Sequence, residues 1–320
     1  MSAIIEIQGL SKAYGRRKRE EGRLAVKELT LSIEEGSVFG FIGPNGAGKT
    51  TTMRMLTTLL EPTAGEAWVN GCSIAQDPRG VRRAIGYMPD FFGVYDDMKV
   101  WEYLDFFAAC YGVPAEQRGR ISDDLLELVE LGHRREDPVD SLSRGMKQRL
   151  CLARTLAHDP QVLILDEPAS GLDPRARIEI RELLRELRDM GKTIFFSSHI
   201  LSEVADICSH IGIIEDGRLV AAGDMEEMQR HLRPHRVVRV RLLGDPQAAQ
   251  EILFPIEGVA NLRPAAKALD ELVFDFTGED AKLSAILSSL VQHDLGIISF
   301  SEETSDLEDV FLQVTRGIVS

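Results

Sequence analysis

No stretch of this 320-residue chain approaches eighteen consecutive apolar residues, the length an α-helix needs to cross a bilayer's hydrocarbon core. The start, MSAIIEIQGLSKAYG, lacks the basic head and long apolar segment of a secretion signal, so the expectation is a chain that stays in the cytoplasm. Cysteine is scarce as well. Cys72, Cys110, Cys151 and Cys208 stand far apart, with no CxxC and no Cys/His pairing, which argues against a zinc site and against a disulfide framework. They read as reduced, mostly buried small apolar residues. Basic residues are outnumbered: 37 Lys and Arg face 51 Asp and Glu, a formal net charge of -14. That balance works against sequence-independent binding to nucleic-acid backbones or anionic lipid. No internal repeat and no low-complexity tract is visible.

The length implies one large domain and a smaller one. From residue 1 to about 230, short apolar runs such as SVFGFIG, QVLILDEP, KTIFFSS and HIGIIEDG alternate with helical patterns, the rhythm of an α/β sheet. Residues 91 to 157 turn mostly helical, with i, i+3, i+4 apolar spacing in VWEYLDFFAACYG, RISDDLLELVELG and RGMKQRLCLARTLAH; an inserted helical subdomain fits. The charged run GRRKREEGR (15–23) reads as a solvated insertion between the first two strands. Residues 231–236 read as a linker, with a boundary near Arg233. Beyond it the pattern predicts strand 237–243, helix 246–253, strands 259–263 and 271–276, helix 280–292 and strand 296–302. That βαββαβ order is ferredoxin-like. A closing helix, SDLEDVFLQVT, opens on a capping box of Ser305 and Glu308.

Two places carry chemistry. VFGFIGPNGAGKTTTMRML is a strand, a glycine-rich loop and a helix, containing GxxxxGKT at Gly43, Gly48, Lys49 and Thr50. Gly43, Gly46 and Gly48 permit backbone angles that let successive amides converge on phosphate oxygens at a helix N-terminus. Lys49 is placed to bridge β and γ phosphates, and Thr50 to give Mg²⁺ a hydroxyl ligand. The second place is QVLILDEP, a buried strand ending in Asp166 and Glu167, which sets carboxylates at the sheet edge where ligands bind. Asp166 suits the metal, and Glu167 suits polarising the water that attacks the γ phosphorus.

With LSRGMKQR (142–149), SGLDP (170–174) and FFSSHI (195–200) following in order, the chain resembles the nucleotide-binding subunit of an ATP-binding cassette (ABC) transporter over most of residues 3 to 225. The resemblance implies a P-loop ATPase in which Gly43, Pro44, Asn45, Gly46, Ala47, Gly48, Lys49, Thr50 and Thr51 cradle the phosphates of ATP. It implies that Ser143 and Gly145 cap the γ phosphate of ATP held by a partner copy, so that a homodimer, or a pair with a paralogous subunit, sandwiches two nucleotides. It implies further that Tyr14 stacks on adenine, that Asp173 sits in the loop crossing the dimer interface, and that His199 reaches the γ phosphate. Two departures stand out: Arg144 and Met146 replace glycine and glutamine of the family's LSGGQ, and Asp90 stands where most members have glutamine. A carboxylate at 90 can still ligate Mg²⁺ or orient water, although it cannot donate a hydrogen bond. Asp90, GMKQRL and LEDVFLQVT resemble the branch that pairs with ABC-2 type exporter permeases.

Eight of the chain's twenty aromatics, Phe91, Phe92, Tyr95, Trp101, Tyr103, Phe106, Phe107 and Tyr111, fall within twenty-one residues. About half suit the core of the helical subdomain; the rest suit a groove for a cytoplasmic helix of a membrane permease. The resemblance thus implies a cytoplasmic ATPase peripheral to the membrane, held there by an integral permease, with no nucleic acid as partner. Two readings stay open: an ABC protein acting on nucleic acid or ribosomes, and a nucleotide-gated regulator whose C-terminal domain senses a ligand.

Overall fold

In a computed structural model of the chain, residues 3–15, 23–91, 93, 97–200, 204, 207–225, 228, 236–243, 246–265, 268–293 and 295–302 are described. Phe92, Tyr95, most of the charged insertion, the linker up to 235 and the closing helix with Ser305 and Glu308 lie outside the described residues. The chain divides into two compact units, the first ending at Met225 and the second following it.

The first unit contains β1 (Ala3–Tyr14), β2 (Arg23–Glu34), β3 (Val38–Ile42), α1 (Lys49–Leu56), β4 (Ala64–Val69), β5 (Cys72–Ser73), α2 (Pro78–Ala84) and β6 (Ile85–Met88). It continues with α3 (Val100–Cys110), α4 (Ala115–Leu128), α5 (Arg144–Thr155), β7 (Val162–Asp166), α6 (Pro174–Asp189), β8 (Thr193–Ser198), β9 (His210–Glu215) and β10 (Arg218–Asp224). Among the described residues, six strands form a sheet in the order β10-β9-β3-β8-β7-β6, parallel from β9 to β6 with β10 antiparallel at the edge. VFGFI and VLILD are buried at every position, as strands covered on both faces must be.

A second, antiparallel sheet, β2-β1-β4-β5, extends the single α/β layer that the alternating pattern predicts. The two sheets share one apolar core, in which Ile5, Leu29 and Val69 of the antiparallel sheet join Phe41, Ile164 and Phe195 of the parallel one and Met53 of α1. Helices α3, α4 and α5 supply the expected helical insertion, and α6 buries Ile180, Leu183, Leu184 and Leu187, an i, i+3, i+4, i+7 stripe.

This strand order does the functional positioning. Because β3, β8 and β7 are neighbours and parallel, their carboxyl ends share one edge. The phosphate loop after β3, Asp166 ending β7 and His199 after β8 therefore converge, although up to 156 residues separate Gly43 from His199.

The second unit runs β11 (Arg236–Leu242), α7 (Pro246–Leu253), β12 (Val259–Ala265), β13 (Ala268–Phe276), α8 (Asp280–Gln292) and β14 (Ile297–Glu302). Its sheet is antiparallel, in the order β12-β13-β11-β14. Val238, Val240, Leu242, Leu272 and Phe274 alternate inward and meet Leu253, Ile286 and Leu290 of the two helices. Arg236, expected to close the linker, already pairs with Phe276 in β11.

Candidate functional site

The phosphate loop is held open by its neighbours. A Cβ at Gly43 would lie 2.3 Å from the Ile214 carbonyl oxygen, so glycine is required there by packing against β9. Gly46 and Gly48 meet the other expectation, with φ of 84° and 113°, in the left-handed region that glycine tolerates. The Gly217 amide donates to Ala47 O at 2.9 Å, and the Ala47 amide to Pro44 O at 3.1 Å. Gly48 then caps α1, whose first turn carries no acidic residue; nothing there opposes an anion at the helix's positive end.

Lys49 is 6% exposed. Its Nζ donates to Gly43 O at 2.6 Å and to Pro44 O at 3.3 Å, and lies 3.2 Å from Glu167 Oε1. The other Glu167 oxygen, Oε2, is 2.7 Å from His199 Nδ1. Glu167 thus links the lysine of the loop to the histidine after β8. It does so from a left-handed backbone, φ 52°, a conformation that costs a non-glycine residue on the order of 1 kcal/mol or more and that clusters at functional sites. Ser197, fully buried at the end of β8, fixes both carboxylate residues: its hydroxyl donates to Asp166 Oδ1 at 2.7 Å and accepts from the Glu167 amide at 3.0 Å.

Asp166 is 1% exposed, and its Oδ2 is buried with no hydrogen-bond partner among the described residues. Burial pushes its carboxyl above the usual aspartate value; the Ser197 hydrogen bond and the proximity of the Thr50 hydroxyl draw it back, and the charges of Asp90 and Glu167 push it up again. A buried carboxylate oxygen without a partner, a hydroxyl beside it and a second carboxylate nearby are oxygen donors of the kind that could hold a hard cation such as Mg²⁺. Mg²⁺ takes one or two carboxylates plus waters and phosphate oxygens in preference to an all-protein cage. No cluster of three or more His, Cys, Asp or Glu suited to a metal occurs among the described residues. Thr50 and Asp90 open onto a cleft of about 500 Å³ lined also by Asn45, Gly46, Gly48, Lys49, Thr51, Glu167 and His199, together with Ala25 and Ser170; Asp166 is not a lining residue and lies buried, next in sequence to Glu167.

The ABC transporter family profile matches residues 26–170, which span the loop, the cleft carboxylates and the start of α5. The Nod factor export ATP-binding protein I of Ralstonia nicotianae is 36% identical over 313 residues, 98% of this chain and 94% of that protein. This chain belongs to the ABC transporter ATP-binding proteins. The bacitracin transport ATP-binding protein BcrA of Bacillus licheniformis is 32% identical over 99% of both chains. Among solved structures, an ATP-binding cassette in a dimeric, post-hydrolysis state with ADP and Pi superposes with a TM-score of 0.63 at 25% identity, covering 69% of this chain and 98% of that one. The chain is accordingly an ABC transporter ATPase.

The remaining residues expected at the site lie elsewhere on the ABC ATPase. Ser143 is exposed and caps α5, accepting from the Met146 amide at 3.3 Å. Gly145 follows on α5, where a Cβ would meet the Ala176 Cβ at 3.1 Å. Asp173 caps α6, accepting from the amides of Arg175 and Ala176 at 3.0 Å each. None of the three lines the subunit's own cleft. Tyr14, at the end of β1, is 46% exposed, has the Lys12 ammonium 5.8 Å from its ring centroid, and is likewise not a lining residue.

Residue-type reasoning missed Ala25, Ser170, Ser197 and Gln148. Ser197 stands in the quoted FFSSHI, but only the pairing of β7 with β8 reveals its two bonds. Gln148, buried, donates from Nε2 to Pro168 O at 2.7 Å and ties α5 to the turn after Glu167. No helix among the described residues is long and apolar enough to cross a membrane.

Proposed function

We propose that this ABC ATPase binds Mg·ATP in the cleft after β3, hydrolyses it when a second copy closes over the γ phosphate, and thereby drives export through a separate membrane permease. The observation that carries this reading is the meeting of Lys49, Glu167, His199 and the unpartnered Asp166 Oδ2 at one sheet edge. Thr50, Asp166 and Asp90 would hold Mg²⁺, which neutralises phosphate charge when bound. Lys49 exchanges its carbonyl and Glu167 contacts for phosphate oxygens. Glu167, relieved of the lysine, accepts the proton of the attacking water as the γ phosphoryl passes to it, while His199 keeps the carboxylate oriented. Ser143 and Gly145, outside the cleft at the start of α5, are left to serve the partner's nucleotide, and the dimeric state of a superposable cassette supports that division.

A groove of about 640 Å³ lies beside the helical insertion, lined by Tyr87, Phe107, Tyr111, Arg54, Arg82 and Arg154 among others. Its aromatic wall is braced: Arg154 donates to the Tyr103 hydroxyl at 3.0 Å and packs 4.8 Å from the Phe107 ring centroid, and Tyr111 stacks on His158 at 3.7 Å. This suits a cytoplasmic segment of a permease, which would place the subunit at the cytoplasmic membrane face. Tyr87 in the groove and Asp90 in the cleft are three residues apart, so a shift at one is felt at the other. The named relatives act in export of Nod factor and transport of bacitracin, which favours the export direction. The second unit, with its strand order β12-β13-β11-β14 behind two helices, supports a ferredoxin-like accessory domain, with the linker from 231 ending before Arg236, where β11 begins.

Phosphate release from Mg·ATP tests the proposal. The wild-type protein turns over, and Glu167→Gln retains ATP without turnover; hydrolysis by Glu167→Gln at the wild-type rate would remove this residue from the chemistry.

A further inference from the structure

We propose that Arg144 is a positioning residue that sets the turn carrying Glu167, and so joins the start of α5 to the subunit's own ATP cleft; the inference rests on Glu167 acting on water. In this chain arginine stands directly after the Ser143 cap of α5. Its Nη2 donates to the Ser170 carbonyl at 3.1 Å. The guanidinium lies on Gly171, where a Cβ would come within 2.3 Å of Nη2, so the contact depends on a residue 171 without a side chain. The Ser170 amide in turn donates to Glu167 O at 3.1 Å. Residues 167 to 170 therefore form a closed turn that begins on the strained Glu167, φ 52°, and ends on the carbonyl Arg144 holds. Ser170 itself lines the cleft.

The turn has a second clamp, the buried bond from Gln148 Nε2 to Pro168 O. Both clamps come from α5, four residues apart and therefore on the same face of the helix as i and i+4 neighbours. They differ in consequence. Gln148 is buried, so its loss leaves a buried carbonyl unsatisfied and disturbs folding. Arg144 is exposed, so its loss leaves the Ser170 carbonyl to water and the fold intact, while the far end of the turn loosens. A carboxylate that must meet a water in line with phosphorus is sensitive to such loosening, because small misplacements lower the rate without altering binding. The start of α5 also carries Ser143, so a motion imposed there reaches Glu167 through Arg144.

The test compares Arg144→Ala and Arg144→Lys with wild type in steady-state ATPase assays, alongside ADP affinity and thermal midpoint. Arg144→Ala is expected to lower kcat about tenfold while KM for ATP and ADP affinity stay within about twofold. Arg144→Lys, long enough to reach the Ser170 carbonyl, is expected to recover most of the rate. An Arg144→Ala kcat within twofold of wild type, a loss that falls on KM, or a lysine variant as slow as the alanine one would overturn the proposal. Inactive wild-type protein would instead strike the ATPase reading itself.

Discussion

Glu167→Gln should tighten nucleotide binding even where no hydrolysis is possible. The Lys49 ammonium lies 3.2 Å from Glu167 Oε1, and both side chains are nearly buried, 6% and 11% exposed. At an effective dielectric constant of about 20, two unit charges at that distance attract by roughly 5 kcal/mol. Most of that attraction is offset by the cost of holding both charges away from water, which leaves a net coupling of about a quarter of the gross figure. A diphosphate must draw Lys49 out of this pair, and it meets the repulsion of the Glu167 charge as it does so. Removing the charge removes both penalties, and a net of ~1.4 kcal/mol corresponds to tenfold in Kd. The assay is calorimetric titration with ADP in the absence of Mg²⁺, under which neither hydrolysis nor metal binding contributes. A Glu167→Gln protein that binds ADP no more tightly than wild type would refute the lysine-holding role given to this carboxylate.

Asp166→Asn bears on pH. Because burial raises the Asp166 carboxyl above its unfolded value, the folded state holds that proton more tightly, and ionisation of this group disfavours folding. The penalty is absent below the ordinary carboxylate range and complete once pH exceeds the raised value. Without nucleotide, the wild type should lose stability relative to Asp166→Asn as pH rises through that window, in denaturant melts at a series of pH values; parallel curves would contradict the assignment. Gly43→Ala drives a Cβ to 2.3 Å from Ile214 O and should weaken ATP binding at least about tenfold with far-UV dichroism unchanged; unaltered binding would show that the loop adapts. Tyr111→Ala and Arg82→Ala, in the groove, should leave the subunit's basal ATPase activity in place and reduce recovery of the permease when the complex is purified from membranes; full recovery from both would move the docking surface elsewhere.

What the sequence made legible follows from how local each determinant is. The phosphate loop, the paired carboxylates and the two helices of the second unit are written in short contiguous patterns, and Pro246–Leu253 and Asp280–Gln292 occupy the spans their periodicity predicts. Other determinants are contacts between distant segments. Gly43 is fixed by Ile214, 171 residues away, and Ser197 matters because β8 lies beside β7. Arg144 reads in the sequence as a departure from a motif; its bond to Ser170 O gives it a place in the turn after Glu167. The antiparallel sheet was less legible because β1 and β2 are broken by register shifts, which disrupt the period-two alternation that marks a strand. The aromatic cluster was half legible: Tyr103 is 1% exposed in the core and Phe91 is 87% exposed, a division that composition alone does not make.

The central claim is that one copy holds the triphosphate while the start of α5 in another completes the site. Light scattering on Glu167→Gln with and without Mg·ATP tests it most directly. The mass should double on adding Mg·ATP and fall back to the single-chain value when Ser143 and Gly145 are also replaced by bulky residues. A protein that stays at single-chain mass with Mg·ATP, while the wild type hydrolyses ATP at a specific rate independent of its own concentration, would contradict it.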